Sequence, residues 1–281
     1  MFIKKIIGFF FVLSLILLIS CKNSEEIKME DQVNIIFLHH STGKNIWEGG
    51  LTKFGKNLGF DADVVNWFED YNDENNKSYK ILETDFPKKS PYGWNNYPFD
   101  YYNIWVKNAG AQPYMEEQTL ELLTKQYDVI IFKHCYPVSS IQADSTTPDI
   151  NSDKKTLGNY KLQYEALKKK LLEFPETKFI VWTPTALVEK ASNKDEALRA
   201  TEFADWVKSV WDTKGDNIYL WDFRALQVEG RLFFKNEYAE SEYNSHPNAK
   251  FSKTVAPYFC NRIVDIIEDR GDNTKLTGNL N

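Results

Sequence analysis

Cysteine and histidine are both scarce in this chain of 281 residues, which has three cysteines and four histidines. Cys21 lies in the N-terminal apolar segment, which leaves Cys135 and Cys260. Two distant thiols form neither a disulfide framework nor a zinc knuckle. We therefore expect both to be buried and unreactive.

An excess of basic charge is also missing. The formal net charge is −6 at pH 7, whereas nucleic-acid binding depends on lysine and arginine that neutralise phosphates. The composition therefore predicts no nucleic-acid partner.

Several motifs are absent as well. The chain has no HExxH zinc motif and no G-x-S-x-G nucleophile elbow. A phosphate-binding P-loop over residues 38–45 would need glycine in place of Leu38 and serine or threonine in place of Asn45. A zinc site built from the histidines with Asp222 as a carboxylate ligand remains an alternative, although no tight ligand spacing supports it.

The N-terminus resembles that of a bacterial lipoprotein. Lys4 and Lys5 precede an apolar run over residues 6–18, which is too short to span a membrane comfortably. The following LISC resembles a lipobox and predicts lipidation of Cys21, with a plain signal peptide or an uncleaved anchor as the alternative. We expect a signal peptide over residues 1–20, an acidic tether over 21–32 and one domain over 33–281. The membrane would be contacted through the lipid only, at the cell envelope.

Strands and helices alternate along the rest of the chain. Apolar runs predict strands over residues 33–38, 60–67, 128–132, 179–183 and 217–223. Residues 70–80 are expected to form a mobile loop, and Pro113 is expected to open a helix that continues through Leu123. Such alternation predicts a parallel sheet covered on both faces, a three-layer α/β/α sandwich.

The first strand ends in the sequence His39-His40-Ser41-Thr42-Gly43. Ligands of open α/β sheets bind at the carboxyl ends of the strands, so Ser41 is our candidate nucleophile. A serine hydroxyl needs a base to take its proton, and His246, which precedes the last helix, fits that role. The N–H groups of Ser41 and Gly110, with a side chain from the end of the middle strand, could hold an oxyanion.

Eight aromatic residues lie among the fourteen of segment 92–105. No strand or helix period organises them, so most are expected to form a structural flap over the sheet. One or two of Trp94, Tyr97, Tyr101 and Trp105 are predicted to stack on sugar rings. His40 is a further candidate for substrate binding.

Four blocks together resemble the SGNH/GDSL hydrolase superfamily, in the branch that has His-His-Ser in its first block: HHSTG, the segment around Gly110, FKHCYPVSSI and SHPN. The resemblance implies a flavodoxin-like α/β/α fold without metal or cofactor. By it, Ser41 matches the nucleophile, Gly110 the oxyanion glycine of the second block and His246 the base.

Two positions depart from the family pattern. His134 stands where the third block has an oxyanion asparagine, and an imidazole N–H could donate in its place. The acid normally found three residues before the histidine is Tyr243 here, so orientation of His246 could fall to Glu242, to a backbone carbonyl or to nothing.

The resemblance thus implies a serine esterase that removes O-acyl groups, in particular O-acetyl groups, from a carbohydrate or a related small ester. The alternative is a glycan-binding lipoprotein that has the same fold and impaired catalysis.

Overall fold

The computed structural model describes residues 32–93 and 95–279, so the predicted leader, Cys21, nearly all of the tether and Trp94 lie outside it. Five parallel strands form the main sheet in the order β2-β1-β3-β4-β5. They are β1 (Val33–His39), β2 (Tyr79–Asp85), β3 (Val129–Phe132), β4 (Lys178–Trp182) and β5 (Ile218–Trp221). A two-stranded antiparallel pair, β6 (Ala239–Ser241) and β7 (Asn244–Pro247), precedes the last helix.

Helices cover both faces of the sheet. They are α1 (Thr42–Glu48), α2 (Lys53–Asn57), α3 (Asp63–Asn75), α4 (Pro98–Tyr101), α5 (Leu120–Leu123), α6 (Leu157–Leu171), α7 (Lys194–Trp206), α8 (Phe223–Val228) and α9 (Ala249–Ile267). Helices α4 and α7 each continue into a π-helical segment, Tyr102–Lys107 and Val207–Trp211. The predicted three-layer α/β/α sandwich is confirmed.

Strand alternation divides the apolar residues between two cores. Ile35 and Phe37 point toward α1, α3, α8 and α9, whereas Ile36 and Leu38 point toward α4, α6 and α7. Both cores contain fully buried tryptophan side chains, and the core on the side of Ile36 and Leu38 adds fully buried tyrosines. Burial of one large apolar side chain contributes about 2 kcal/mol. Cys135 and Cys260 are buried free thiols, as predicted.

The second predicted strand is wrong. Most of residues 60–67 belong to helix α3, and the predicted loop over 70–80 holds the end of that helix and the start of β2. Val64 and Phe68 are buried four residues apart, which is a helical interval. The β-branched pair Val64-Val65 favoured a strand locally, and tertiary packing of the helix overrode it.

The helix expected from Pro113 is also mostly wrong. Tyr114 and Glu117 exchange backbone hydrogen bonds around a tight turn in which Met115 and Glu116 have positive φ. Only Leu120–Leu123 is helical. Within the described residues, no helix is both long enough and apolar enough to cross a bilayer.

Candidate active site

Ser41 lies in a strained turn between β1 and α1. Its φ of 33° and ψ of −90° are unusual for a residue with a side chain, and such a conformation costs on the order of 1–3 kcal/mol. Hydrogen bonds from Gly43 N–H to the His40 carbonyl (2.9 Å) and from Asn45 N–H to the Ser41 carbonyl (3.0 Å) hold the turn. The strain therefore falls on the predicted nucleophile, at the carboxyl end of a strand.

Gly43 allows this turn to close. A Cβ atom at this position would lie 2.5 Å from the Cβ of His39, well inside van der Waals contact. The side chain of His39 thus occupies the space beneath the first turn of α1, which only glycine leaves free.

His39 is a supporting residue. It is fully buried, and its Nε2 lies 2.6 Å from Oε2 of Glu83, which also pairs with Lys44 of α1. Burial lowers the pKa of His39 even though Glu83 acts to raise it. Burial alone would raise the pKa of Glu83, but His39 and Lys44 bring it below its usual range. The side chains of His39, Glu83 and Lys44 thus join the end of β1 and helix α1 to β2.

His40 is held by contacts at both of its ring nitrogens. It is buried, its Nε2 lies 2.6 Å from the Pro87 carbonyl, and its Nδ1 lies 3.5 Å from Asp85. Its ring joins the end of β1 to the segment after β2. The predicted substrate-binding role is corrected to a structural one.

His246 lies on β7, and the side chain of Asn244 orients it. Asn244 Oδ1 is 3.2 Å from the backbone N of His246 and 2.7 Å from its Nδ1. The backbone N–H of His246 can only donate, so Asn244 Oδ1 is the acceptor in both hydrogen bonds. Nδ1 of His246 must therefore carry a proton, which it donates to Oδ1. This tautomer leaves a lone pair on Nε2, the atom that a general base uses.

The environment keeps the His246 ring neutral. Burial, and then the charge of Lys133, lowers the pKa of His246 below its ordinary value, and Glu240 acts in the opposite direction. The ring is half-buried. A neutral imidazole with its Nε2 unprotonated is the form required of a base.

Tyr136 connects the serine turn with the histidine. Its hydroxyl lies 3.4 Å from Oγ1 of Thr42, the residue after Ser41. Its ring packs edge-on against the His246 imidazole, with centroids 5.3 Å apart. Helix α1 also contacts β7. Tyr136 therefore links the start of α1, which directly follows Ser41, to the His246 ring, and both lie at the same edge of the molecule.

Glu242 does not orient His246. Its exposed carboxylate pairs with Lys190 at 2.7 Å. Asn244 takes the orienting role instead. A short side chain two residues before the histidine reaches both its backbone N and its Nδ1. The SHPN block gave no direct signal of this role, because Asn244 lies just before it.

Gly110 lies at the opposite edge of the sheet. Its N–H donates to Oε2 of Glu121 at 3.1 Å, and Glu121 pairs with Lys170 in the last turn of α6. Helix α6 ends just before β4 begins, so the contact between Glu121 and Lys170 lies at the amino edge, where the amino ends of the strands meet. The predicted oxyanion role of Gly110 is therefore corrected: the π-helical segment after α4 carries the chain away from Ser41.

The ring of His134 points into the core. It is 3% exposed, and it packs against Tyr101 and Tyr164 with centroids 4.5 and 5.4 Å away. Burial, followed by the charge of Lys133, holds its pKa well below the ordinary value. Strand alternation turns residues 130, 132 and 134 to this face, so His134 cannot donate to an oxyanion beside Ser41.

The described aromatic candidates belong to the same core. Tyr97, Tyr101 and Trp105 are at most 4% exposed. Their polar atoms donate to the backbone carbonyls of Asp153, Lys133 and Gln118. They form the structural flap, and no sugar ring can reach their faces. Trp94 lies outside the described residues.

Two buried polar residues near the site went unpredicted. Asn96 has a φ of 52°; its Nδ2 donates to the Phe86 carbonyl, and its own carbonyl accepts from Cys135 N–H. Lys133 Nζ lies 3.3 Å from the His40 carbonyl oxygen. Both residues fix the loops at the carboxyl edge; Asn96 lies outside the quoted blocks, and Lys133 lies within FKHCYPVSSI without a role assigned to it there.

The zinc alternative does not fit the geometry. His39 and His134 point to opposite faces of the sheet. Asp222 caps α8 through Ala225 N–H and accepts from Thr183. Among the described residues, no three His, Cys, Asp or Glu side chains converge as ligands would.

The fold and the site define a doubly wound α/β protein with a strained serine and an oriented histidine at one edge. No family model matches the sequence, and no curated protein does. A solved structure of a carbohydrate esterase, described as having an active site with divergent catalytic and non-catalytic binding functions, is similar over 83% of this chain. The identity is 11% and the TM-score 0.34, and this chain spans 65% of that structure's length.

Proposed function

We propose that this protein is a serine ester hydrolase of the SGNH type that removes O-acyl groups, in particular acetyl, from a carbohydrate. The observation that carries the proposal is the strained turn at Ser41 together with the oriented His246 ring: Asn244 binds Nδ1 of His246, and Tyr136 contacts both that ring and Thr42, the residue after Ser41. Backbone strain at a strand end, next to an oriented base, is typical of nucleophile sites.

The reaction follows from the roles of these groups. Ser41 Oγ attacks the ester carbonyl while His246 Nε2 takes its proton, and the imidazolium that forms is held by the Nδ1–H bond to Asn244. The Ser41 N–H donates to the oxyanion of the tetrahedral intermediate. His246 then protonates the leaving sugar oxygen. Water, activated by the same histidine, releases the acyl group from Ser41.

The cell envelope is the proposed location. It rests on the lipobox-like sequence that ends at Cys21, and the carbohydrate substrate rests on the family resemblance. Trp94 remains the aromatic residue proposed to stack on sugar.

The test is turnover of p-nitrophenyl acetate and acetylated xylan, combined with labelling by a fluorophosphonate probe. We expect labelling and turnover in the wild type, and loss of both in Ser41→Ala. The matched control is Ser209→Ala, which removes an exposed helical hydroxyl far along the chain. Turnover that is lost with a chelator and restored by zinc would overturn the proposal.

The alternative is a glycan-binding protein with impaired catalysis. It is favoured by one observation, namely that a neutral amide rather than a carboxylate accepts from His246. Polysaccharide binding that is unchanged by His246→Ala, with no turnover and no probe labelling of the wild type, would establish it.

A further inference from the structure

Lys133 is a buried cation beside the nucleophile turn. It directly follows β3 and is 1% exposed. Its Nζ lies 3.3 Å from the carbonyl oxygen of His40 and 3.4 Å from Sγ of Cys135. In the described part of the chain these two atoms are its hydrogen-bond partners, and no carboxylate pairs with it. Removing an ammonium group from water without a counter-ion is costly, so its position needs an explanation.

The oxygen that Lys133 contacts belongs to the peptide bond between His40 and Ser41. The N–H of that same peptide is the Ser41 N–H, which donates to no backbone or side-chain acceptor among the described residues. The oxygen also accepts from Gly43 N–H. A positive charge at a peptide oxygen draws electron density from the nitrogen, and hydrogen bonds polarised in series strengthen one another.

We propose that Lys133 is a positioning residue that fixes and polarises the His40–Ser41 peptide, so that the Ser41 N–H becomes a stronger donor to the oxyanion. This inference rests on the proposed function. The contribution is larger in the transition state than in the ground state, because the substrate carbonyl gains negative charge only as the tetrahedral intermediate forms.

A purely structural role predicts something different. If Lys133 only held the strained turn, its loss would lower thermal stability and impair substrate binding and turnover together. A polarising role lowers kcat and weakens binding of a tetrahedral adduct while KM changes little.

The experiment compares Lys133→Met, which is similar in length and uncharged, with Lys178→Met. Lys178 is the matched control because its Nζ also donates to backbone carbonyls, those of Ile266 and Ile267, but at the amino edge of the sheet. We expect Lys133→Met to lower kcat on p-nitrophenyl acetate by about tenfold or more, with KM changed less than about threefold. Inhibition by phenylboronic acid, which forms a tetrahedral adduct with serine, should weaken by a similar factor. Lys178→Met should retain both values.

Lys133→Gln is the second variant, because it can keep an N–H donor to the His40 oxygen without the charge. We expect the same loss of kcat and of boronate affinity. A wild-type kcat in either folded variant overturns the inference, as does a loss of kcat with unchanged boronate affinity. If neither variant folds while Lys178→Met does, Lys133 is a folding residue and the inference is again overturned.

The two proposals fail in different ways. No turnover and no fluorophosphonate labelling in the wild type refutes the esterase and the role of Lys133 with it. Wild-type turnover that Lys133→Met retains refutes only the role of Lys133.

Discussion

At the residue scale, Asn244 is the position where the site departs from a serine, histidine and acid arrangement. The amide fixes the His246 tautomer but supplies no negative charge to the imidazolium. The charge of Lys133 further favours the neutral ring. The site is therefore built around a base that stays unprotonated below the ordinary histidine pKa.

Asn244 gives the first prediction. The proposed reaction requires neutral His246, so activity should be lost as the pH falls through the pKa of this residue, which burial lowers from its ordinary value of 6.5. Asn244→Asp places a carboxylate on Nδ1, which raises that pKa and moves the acidic limb of kcat/KM upward. Asn244→Ala should lower kcat by roughly 10 to 100-fold because the ring loses its orientation.

The pH dependence of kcat/KM measures both effects. Glu242→Gln is the control, since it removes a carboxylate close in sequence that pairs with Lys190 instead. An acidic limb that does not move in Asn244→Asp would contradict the assigned orientation.

His134 gives a prediction about stability. Among the described residues, its two ring nitrogens have no hydrogen-bond partner, and burial lowers its pKa so that the folded ring stays neutral. Below pH 6.5 the unfolded chain binds a proton at this residue and the folded chain does not, so the free energy of unfolding falls as the pH decreases. For one such histidine the loss between pH 7 and pH 5 is at most about 2 kcal/mol.

Urea denaturation at pH 7 and pH 5 tests this. We expect His134→Phe to lose less stability over that interval than the wild type, and to fold at least as well at pH 7, because an aromatic ring replaces an unpaired polar one. An identical loss in both proteins would show that other groups set the acid sensitivity.

At the scale of elements, the junction of β1 and α1 decides whether the serine turn forms. Gly43→Ala would place a methyl group 2.5 Å from the Cβ of His39, so the turn must shift. We expect a stability loss of about 1–3 kcal/mol and strongly reduced fluorophosphonate labelling. Gly50→Ala is the control, because its Cβ would come closest to the flexible side chain of Lys253. Full labelling of Gly43→Ala would contradict the importance of this junction.

The elements also show what local sequence can predict. The strands buried on both faces, such as β3 and β4, are continuous apolar runs and were found. The edge strand β2 was missed because polar residues such as Lys80 and Glu83 interrupt it, which leaves no continuous apolar run. Helix α3, which precedes β2, was predicted as a strand because its β-branched residues Val64 and Val65 are adjacent. Edge position and helix packing are tertiary facts that a short window does not contain.

The residues of the candidate site also differ in how far local sequence predicts them. The placement of Ser41 and His246 could be predicted, because a strand end and a helix start mark them in the sequence, whereas their catalytic roles stay predictions. The sequence could not show that Gly110 and His134 lie away from Ser41. The π-helical segment after α4 carries Gly110 to the amino edge, and the alternation of strand residues turns His134 into the core. Asn244 and Lys133 act through contacts that only the folded chain creates.

At the scale of the whole molecule, the direction of β1 sets how the site would face if the chain is anchored through Cys21. Residue 32 enters β1 at the amino edge, and Ser41 follows its other end. The strand has seven residues, so the two points lie roughly 20 Å apart at about 3.3 Å per residue. A tether of about ten residues would then hold the amino edge toward the membrane, with Ser41 on the side that a polymer can reach.

Cells carrying the wild type and Cys21→Ser test this arrangement. We expect labelled palmitate on the wild type alone, and the same ratio of activity on acetylated xylan to activity on p-nitrophenyl acetate in the anchored and released proteins. The two substrates differ mainly in size, so their ratio measures access rather than chemistry. If the anchored protein cleaves the small ester and spares the polymer, Ser41 faces the membrane and the proposed orientation is wrong.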